Sequence, residues 1–310
     1  MLKRTALLVP VLAGISVVAF ALGAMSPGDP VDQVLNPSGN ESYTQEEYEQ
    51  TATRMGLDKP VYVQYGKWLG GLLRGDLGRS FFTSKSIRDQ LARRIPVSAR
   101  LAALTMALTA AAGVGFGMVM AVYKDRLPDH ILGAFSTAAL SVPGFWTAIL
   151  LIWLLAESWR VFPTSGIDSW KGYVLPAVTL ALPGTGVCAR LTRSAVLDEM
   201  GRQYVTTAAS KGLSRRQTAA RHAFPNTLIP IVTYLGNHMA GILGGASIVE
   251  TVFAVPGIGS YAISAVQSKD YYVVQAYVLF SGAVYVAANV LIDLFYIAAN
   301  PRIRRGEAGR

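Results

Sequence analysis

The sequence predicts an all-α integral membrane protein with six transmembrane helices and both termini in the cytoplasm. Three observations predict it. Of 310 residues, 52% are hydrophobic and 15% charged, and mean hydropathy is +0.36, the balance of a polytopic membrane protein. A bilayer core of roughly 30 Å needs about 20 apolar residues in a helix, and six such stretches occur, Leu7 to Met25, Leu101 to Tyr123, Ile131 to Ala156, Tyr173 to Ala189, Leu228 to Phe253 and Tyr272 to Ala299. The third is the asymmetry of lysine and arginine. One set of short connections, with the termini, collects Lys3, Arg4, Lys124, Arg126, Arg190, Arg193, Arg202, Lys211, Arg215, Arg216, Arg221, Arg302, Arg304, Arg305 and Arg310, whereas the other holds Arg160, Lys171 and Lys269. The basic side is the cytoplasmic one.

The net charge of +9 accompanies basic residues that flank apolar spans and form no stripe interleaved with aromatics, so nucleic acid is not the expected partner; membrane lipid is. Cys188 is the single cysteine, which excludes an intramolecular disulfide. The chain reads as one membrane domain over residues 1–310, without internal repeats.

The first span follows Lys3 and Arg4, and its Ala21 to Ala24 end is compatible with a signal-peptidase site. Its apolar length exceeds a typical signal core, so an uncleaved helix is expected. Residues 26–100 form a long extracytoplasmic segment. Thr44 with Glu47 has capping-box spacing and Gly56 can end that helix; Val61, Tyr65, Trp68 and Leu72 recur at helical intervals, giving a helix that packs on the spans or lies on the outer membrane surface. Trp159, Trp170, Tyr271 and Tyr272 lie near span ends as interfacial anchors.

Several spans are interrupted at Pro143-Gly144, Pro176, Pro183-Gly184 and Pro230, where helices can bend around a cavity or simply kink. The fifth span combines Asn237, His238 and Ser247 with Gly236, Gly241, Gly244 and Gly245. Asn237, His238, Gly241 and Ser247 are therefore the pathway candidates, with interhelical hydrogen bonding and tight helix packing as the competing reading. In the last span, Asn289 and Asp293 stand one turn apart near the cytoplasmic end and read as a structural polar pair. Glu250 is assigned to capping or pairing at the outer interface.

Between the fourth and fifth spans, residues 190–227 form a cytoplasmic loop that is basic and distinctly polar from Tyr204 to Pro225. Lys211-Gly212 provides a cation and then the residue suited to a left-handed C′ position, so a first helix stops there. Ser214 and Gln217 form a second capping box, opening a helix through Arg215, Arg216 and Arg221 that Pro225 ends. The product is a rigid elbow suited to docking into another protein.

Catalytic patterns are weak. His130, His222 and His238 have no metal-ligand spacing, no serine sits in a nucleophile elbow, and no phosphate loop occurs, so neither an enzyme activity, a metal nor a cofactor is expected in this chain. Gly257, Gly259 and Ala262 match a dinucleotide fingerprint formally but lack a strand-to-helix unit.

Whole motifs go further. They are Ser26-Pro27-Gly28-Asp29-Pro30, GLDKPVYVQYGKWLGGLLRGDLGRSF from Gly56 to Phe81, Tyr204-Val205 through Lys211-Gly212, IVETVFAVPGIG from Ile248 to Gly259, Asp270-Tyr271, and Asn300-Pro301-Arg302-Ile303-Arg304. In order and spacing the chain resembles, over almost its whole length, the membrane permease subunits of bacterial ATP-binding-cassette importers in the dipeptide, oligopeptide and nickel branch. That resemblance implies the type I importer permease fold in the bacterial plasma membrane. It also implies a homologous second permease, two ATPase subunits that bind ATP and Mg, and an extracytoplasmic substrate-binding protein. The family's cytoplasmic Glu-Ala-Ala, three residues, Gly motif forms a helix received by the ATPase. Aligned on Gly212, Thr206 takes the glutamate position and Thr207 the first alanine, while Ala208 and Gly212 match. The resemblance implies ATPase coupling through Tyr204, Thr207, Ala208, Lys211, Gly212, Leu213, Ser214, Arg215 and Arg216, with no salt bridge from the glutamate position.

Dipeptides or oligopeptides are the expected substrates, with nickel or other small solutes as the alternative. A self-sufficient secondary transporter would show inverted repeats or more intramembrane charge, and a membrane enzyme an acid–base or metal constellation.

Overall fold

The computed structural model describes residues 2–25, 29–36, 40 and 42–299. The Ser26–Gly28 part of the first motif, the segment from Asn300 onward and the side chain of Asp293 lie outside the described residues. Every regular element among the described residues is helical, apart from an isolated bridge between Arg79 and Ser86. The chain divides into two compact units, Met1–Ser98 with Pro256–Val284 and Ala99–Val255 with Tyr285–Arg310.

The first unit opens with α1 (Leu2–Ala24) and α2 (Pro30–Leu35). Asp29 caps α2, its Oδ1 accepting from the Val31 N–H at 2.9 Å, and Pro30 supplies a preset φ where no amide donor is needed. In α3 (Gln45–Met55) the Thr44 and Glu47 capping box forms as the spacing predicts, and Gly56 closes the helix at φ +73°. The Thr44 amide beside Glu47 holds that carboxyl below its usual range. The apolar stripe of α4 (Val61–Leu73) faces α1: the Tyr65 and Trp68 ring centroids lie 5.3 and 5.7 Å from Phe20. A cavity of about 780 Å³ is lined from this unit by Phe20, Tyr48, Lys67, Trp68 and Gln275 among others.

Helix α5 (Ile87–Val122) starts well before Leu101, where the second span was expected to begin. Residues 87–100 are too charged to look like membrane sequence, but they are amphipathic. Ile87 and Leu91 are buried with Ile258, Ala265, Val273 and Ala276, while Arg88, Asp89 and Arg93 are exposed. The same unit holds α13 (Ile258–Gln267) and the first part of α14 (Tyr271–Ala299). No strand precedes α13, so the formal dinucleotide match has no phosphate-binding turn. Asp270, 3% exposed, accepts from Ser80 Oγ at 2.5 Å, which fastens the 76–86 loop to the start of α14.

In the second unit α5 is followed by α6 (Leu127–Ser141), α7 (Gly144–Leu151) and a π-helical turn over Ile152–Ser158. The third span is thus not one helix. It bends by 105° at Pro143-Gly144, the residue pair whose chemistry had marked it. The other prolines do not interrupt. Pro176 and Pro230 sit in the first turns of α8 (Val174–Met200) and α11 (Leu228–Gly245), where an absent N–H costs little, and Pro183 lies inside a continuous α8. A break the prolines did not announce falls at Ala246, dividing the fifth span into α11 and α12 (Ser247–Val252).

Helix α8 is the hub of this unit, packing against α6, α7, α11 and α12. It admits α5 closely because Gly117 presents no Cβ to the Ala189 carbonyl and Thr192. Among the described residues, α5, Trp170–Met200 and Tyr271–Ile292 are long and apolar enough to cross a membrane; the bent pair of α6 and α7 makes up to four, and Pro10–Gly23 is a shorter apolar helix.

Candidate functional site

The elbow is built as its punctuation predicts at three points. Helix α9 (Gln203–Ser210) ends where the Lys211 and Gly212 amides turn back to the carbonyls of Ala208 and Ala209 at 3.2 and 3.0 Å. Gly212 takes φ +88°, a left-handed conformation that a side chain disfavours. Ser214 then caps α10 (Arg215–Thr218), its Oγ accepting from the Gln217 N–H while the Gln217 Oε1 accepts from the Ser214 N–H at 3.1 Å. At the fourth point the expectation fails. Pro225 does not end the helix; the chain stays helical, widening to a π turn over Ala219–Ala223 and tightening to a 3-10 turn over Phe224–Thr227 before α11. Proline is tolerated there because it stands at the start of the 3-10 turn, where its missing donor removes no bond.

One side of the elbow is apolar and buried. Val196 of α8 packs with Ala121, Ala219 and Ala223, and Val205, Ala208 and Thr218 are also buried. The opposite side is exposed and basic, presenting Thr206, Thr207, Ala209, Lys211, Gly212, Ser214, Arg216 and Arg221, with Leu213 half-buried. Thr206 and Thr207 spend their hydroxyls on the carbonyls of Arg202 and Gln203, so the glutamate position of the related motif carries no ion pair.

Two fastenings hold the elbow's roots. Arg215 Nη2 donates to the Ala121 carbonyl at 3.2 Å, a cation at the C-terminal end of α5. The Tyr204 hydroxyl donates to Glu199 Oε2 at 2.5 Å and accepts from Asn226 Nδ2 at 2.7 Å. Desolvation and then the Glu199 carboxylate push the Tyr204 phenol above its ordinary value, so it remains a donor at neutral pH.

The pathway candidates do not converge. His238 turns toward α8, stacked on Tyr234 with centroids 5.6 Å apart, and a Cβ on Gly184 would overlap its ring. Its Nε2 is buried and finds no hydrogen-bond partner among the described residues, while Tyr234 donates to the Gly184 carbonyl at 3.0 Å. Asn237 and Gly241, one turn apart, are exposed, and Ser247 is half-buried at the start of α12. Asn289 donates to the carbonyl of Tyr285 in its own helix at 2.8 Å. Glu250, assigned to an interface, is 1% exposed.

Sequence reading did not find Glu199, Asn226 or Ala121 as partners of the elbow, nor the pair of Asp129 and Arg193 that joins α6 to α8. The usable signal was a charge, Asp129, standing directly before an apolar stretch. Among the described residues no group of three or more His, Cys, Asp or Glu side chains is placed to hold a metal ion.

Comparison with known proteins completes the assignment. Residues 113–305 match the model of the binding-protein-dependent transport system inner membrane component, and residues 1–102 match the N-terminal model of the same transport membrane components. A putative peptide transport system permease protein of Brucella abortus (strain 2308) is 37% identical over 311 residues, covering 98% of both chains. The glutathione transport system permease protein GsiC of Escherichia coli (strain K12) is 32% identical over 303 residues, again over 98% of both. With apolar helices of spanning length and a family match over most of its length, this multi-pass inner-membrane protein belongs to the binding-protein-dependent transport system inner membrane component family.

Proposed function

We propose that the chain is the pore-forming permease subunit of an ATP-driven importer of dipeptides or oligopeptides. It acts as one permease domain of six spans with both termini in the cytoplasm. The observation that carries the coupling role is the elbow: a left-handed Gly212 between two short helices, the second opened by a capping box, apolar at its roots and basic at its exposed tip. That form suits a knob received by another protein. Tyr204, Thr207, Ala208, Lys211, Gly212, Leu213, Ser214, Arg215 and Arg216 form the ATPase-coupling segment. Within it Arg215 serves the root, through Ala121, and Arg216 the exposed face.

ATP and Mg are bound by two partner ATPases, which supply the energy. A homologous second permease completes the pore, and an extracytoplasmic binding protein delivers substrate. Closure of the ATPases moves the elbow and switches the pathway between outward and inward access; for work to be transmitted, the elbow's contacts must differ between the two states. Asn237 and Gly241 are assigned to the pathway wall on their exposure, with Ser247 near its end and His238 behind it against α8. Asn289 and Asp293 are structural.

The peptide class rests on the similarity to a peptide permease and a glutathione permease. Competitive uptake of labelled peptides and nickel, in cells with and without this chain, tests it. Loss of peptide uptake on deletion is expected. Unchanged peptide uptake in cells without a redundant system removes the peptide class and favours nickel or another small solute.

A further inference from the structure

Two helices of the second unit are joined by an ion pair that the coupling segment does not include. Asp129 stands in the first turn of α6, and both of its oxygens are taken by Arg193 of α8, Nε to Oδ1 and Nη2 to Oδ2 at 2.7 Å each. Oδ2 also accepts from the Asp125 N–H at 2.9 Å. Asp129 is 5% exposed. A fork-on-carboxylate pairing fixes orientation as well as distance, and a buried carboxylate cannot leave its partner without being stranded.

The position of this pair gives it a mechanical meaning. Past Arg193, α8 runs about two turns to Met200; Gly201 and an extended Arg202 separate it from α9, and Tyr204 of α9 is tied back to Glu199 of α8 by its 2.5 Å hydrogen bond. In the other direction α6 runs from Asp129 to Ser141 and then breaks by 105° into α7. Along α6, α8 fits closely as well, since a Cβ on Gly186 would meet the Ser136 backbone. Displacement of the elbow is therefore carried by α8, and the ion pair obliges the near end of α6 to follow. That path ends at the 105° break.

We propose that Asp129 and Arg193 are positioning residues that make α6 and α8 a single lever, passing motion of the elbow to the Pro143-Gly144 break. This rests on the coupling role proposed for the elbow.

The test uses the complete transporter, with its ATPases and binding protein, in liposomes, with ATP hydrolysis and uptake of a labelled peptide measured together. Asp129→Asn and Arg193→Gln are expected to lower uptake per ATP hydrolysed by about tenfold, with the ATPases still bound at wild-type stoichiometry, and Arg193→Lys, which keeps the charge, to recover about threefold of that loss. Spin labels at the exposed His130 and Arg190 should keep one separation with and without trapped nucleotide in the wild type, and lose that constancy in Asp129→Asn. Wild-type uptake per ATP in both neutral variants overturns the proposal. Loss of the ATPases from every variant also overturns it, leaving a purely structural pair. Failure of the elbow reading is seen separately, as unaltered ATPase association and coupling in Gly212 variants, and removes both.

Discussion

Tyr204 and Glu199 are joined by a 2.5 Å hydrogen bond across the junction of α8 and α9, and Asn226 donates to the same phenol oxygen from the far limb of the elbow. One hydroxyl thus ties both limbs of the elbow together at the end of α8. Tyr204→Phe removes both bonds and keeps the ring. The elbow should open more readily by about 1 kcal/mol, a roughly fivefold faster amide exchange over 203–210. Because the phenol is shifted upward, the clasp is fully present at neutral pH and is lost only as pH rises through the phenol's raised value. Equal exchange in the variant and the wild type at pH 7 would show that the clasp holds nothing.

At Gly212 the constraint is conformational, since nothing lies within 4 Å of where a Cβ would stand. Gly212→Val should cost about 1–2 kcal/mol in the left-handed region and put bulk on the exposed tip; Gly212→Asn, which tolerates that region, should cost much less. Both proteins should reach the membrane in normal amounts. Co-purification of the ATPases is expected to fail for valine and survive for asparagine, and equal behaviour of the two would remove the left-handed turn from the argument.

Gly184 lends the space that His238 fills. Gly184→Ala drives a methyl into an imidazole stacked on Tyr234, which should destabilise the protein by about 1–3 kcal/mol. Combining it with His238→Ala should relieve most of that penalty. Thermal unfolding in detergent reads the cycle, and strict additivity would mean that the two residues do not meet.

Ser80→Ala removes the shorter of the contacts to the Asp270 carboxylate, 3% exposed, and keeps the longer 3.4 Å contact from the Phe81 N–H. The loop over 76–86 should detach at a cost of about 2 kcal/mol. Limited proteolysis within that loop should accelerate in the variant; an unchanged cleavage rate counts against the fastening.

The capping box of α3 carries a pH dependence of known sign. Since the folded Glu47 carboxyl titrates below its ordinary value, its contribution is present above the ordinary glutamate range and lost as pH falls through the lowered value. Amide exchange at the start of α3 should therefore rise on acidification, and Glu47→Gln, which removes the titrating carboxyl, should abolish that dependence. A profile identical in the two proteins would deny the box its role.

Local chemistry made the caps and the turn legible. Thr44 with Glu47, Ser214 with Gln217, and Gly212 each act within four residues of their partners, and each forms as read. What escaped was decided at long range. The start of α5 at Ile87 depends on residues more than 160 positions away that bury its apolar side, and the pairing of Asp129 with Arg193 spans 64 positions. Prolines misled for the same reason: Pro183 looks like a break alone and is carried through by helices packed on both sides of α8. In the fifth span, the face that His238 chooses follows from the missing side chain at Gly184, on a different helix.

The 105° turn between α6 and α7 bears on how the chain is made. Hydrocarbon offers no partner to the backbone groups released at such a break, which must be covered by other protein. At this break Ser141, Val142 and Pro143 are exposed and the Ser141 and Thr147 hydroxyls donate to the carbonyls of Thr137 and Pro143, while α8, on which both α6 and α7 pack, follows the break in the chain. A nascent chain that ends at Ser158 therefore holds both limbs of the bend without the helix on which both pack.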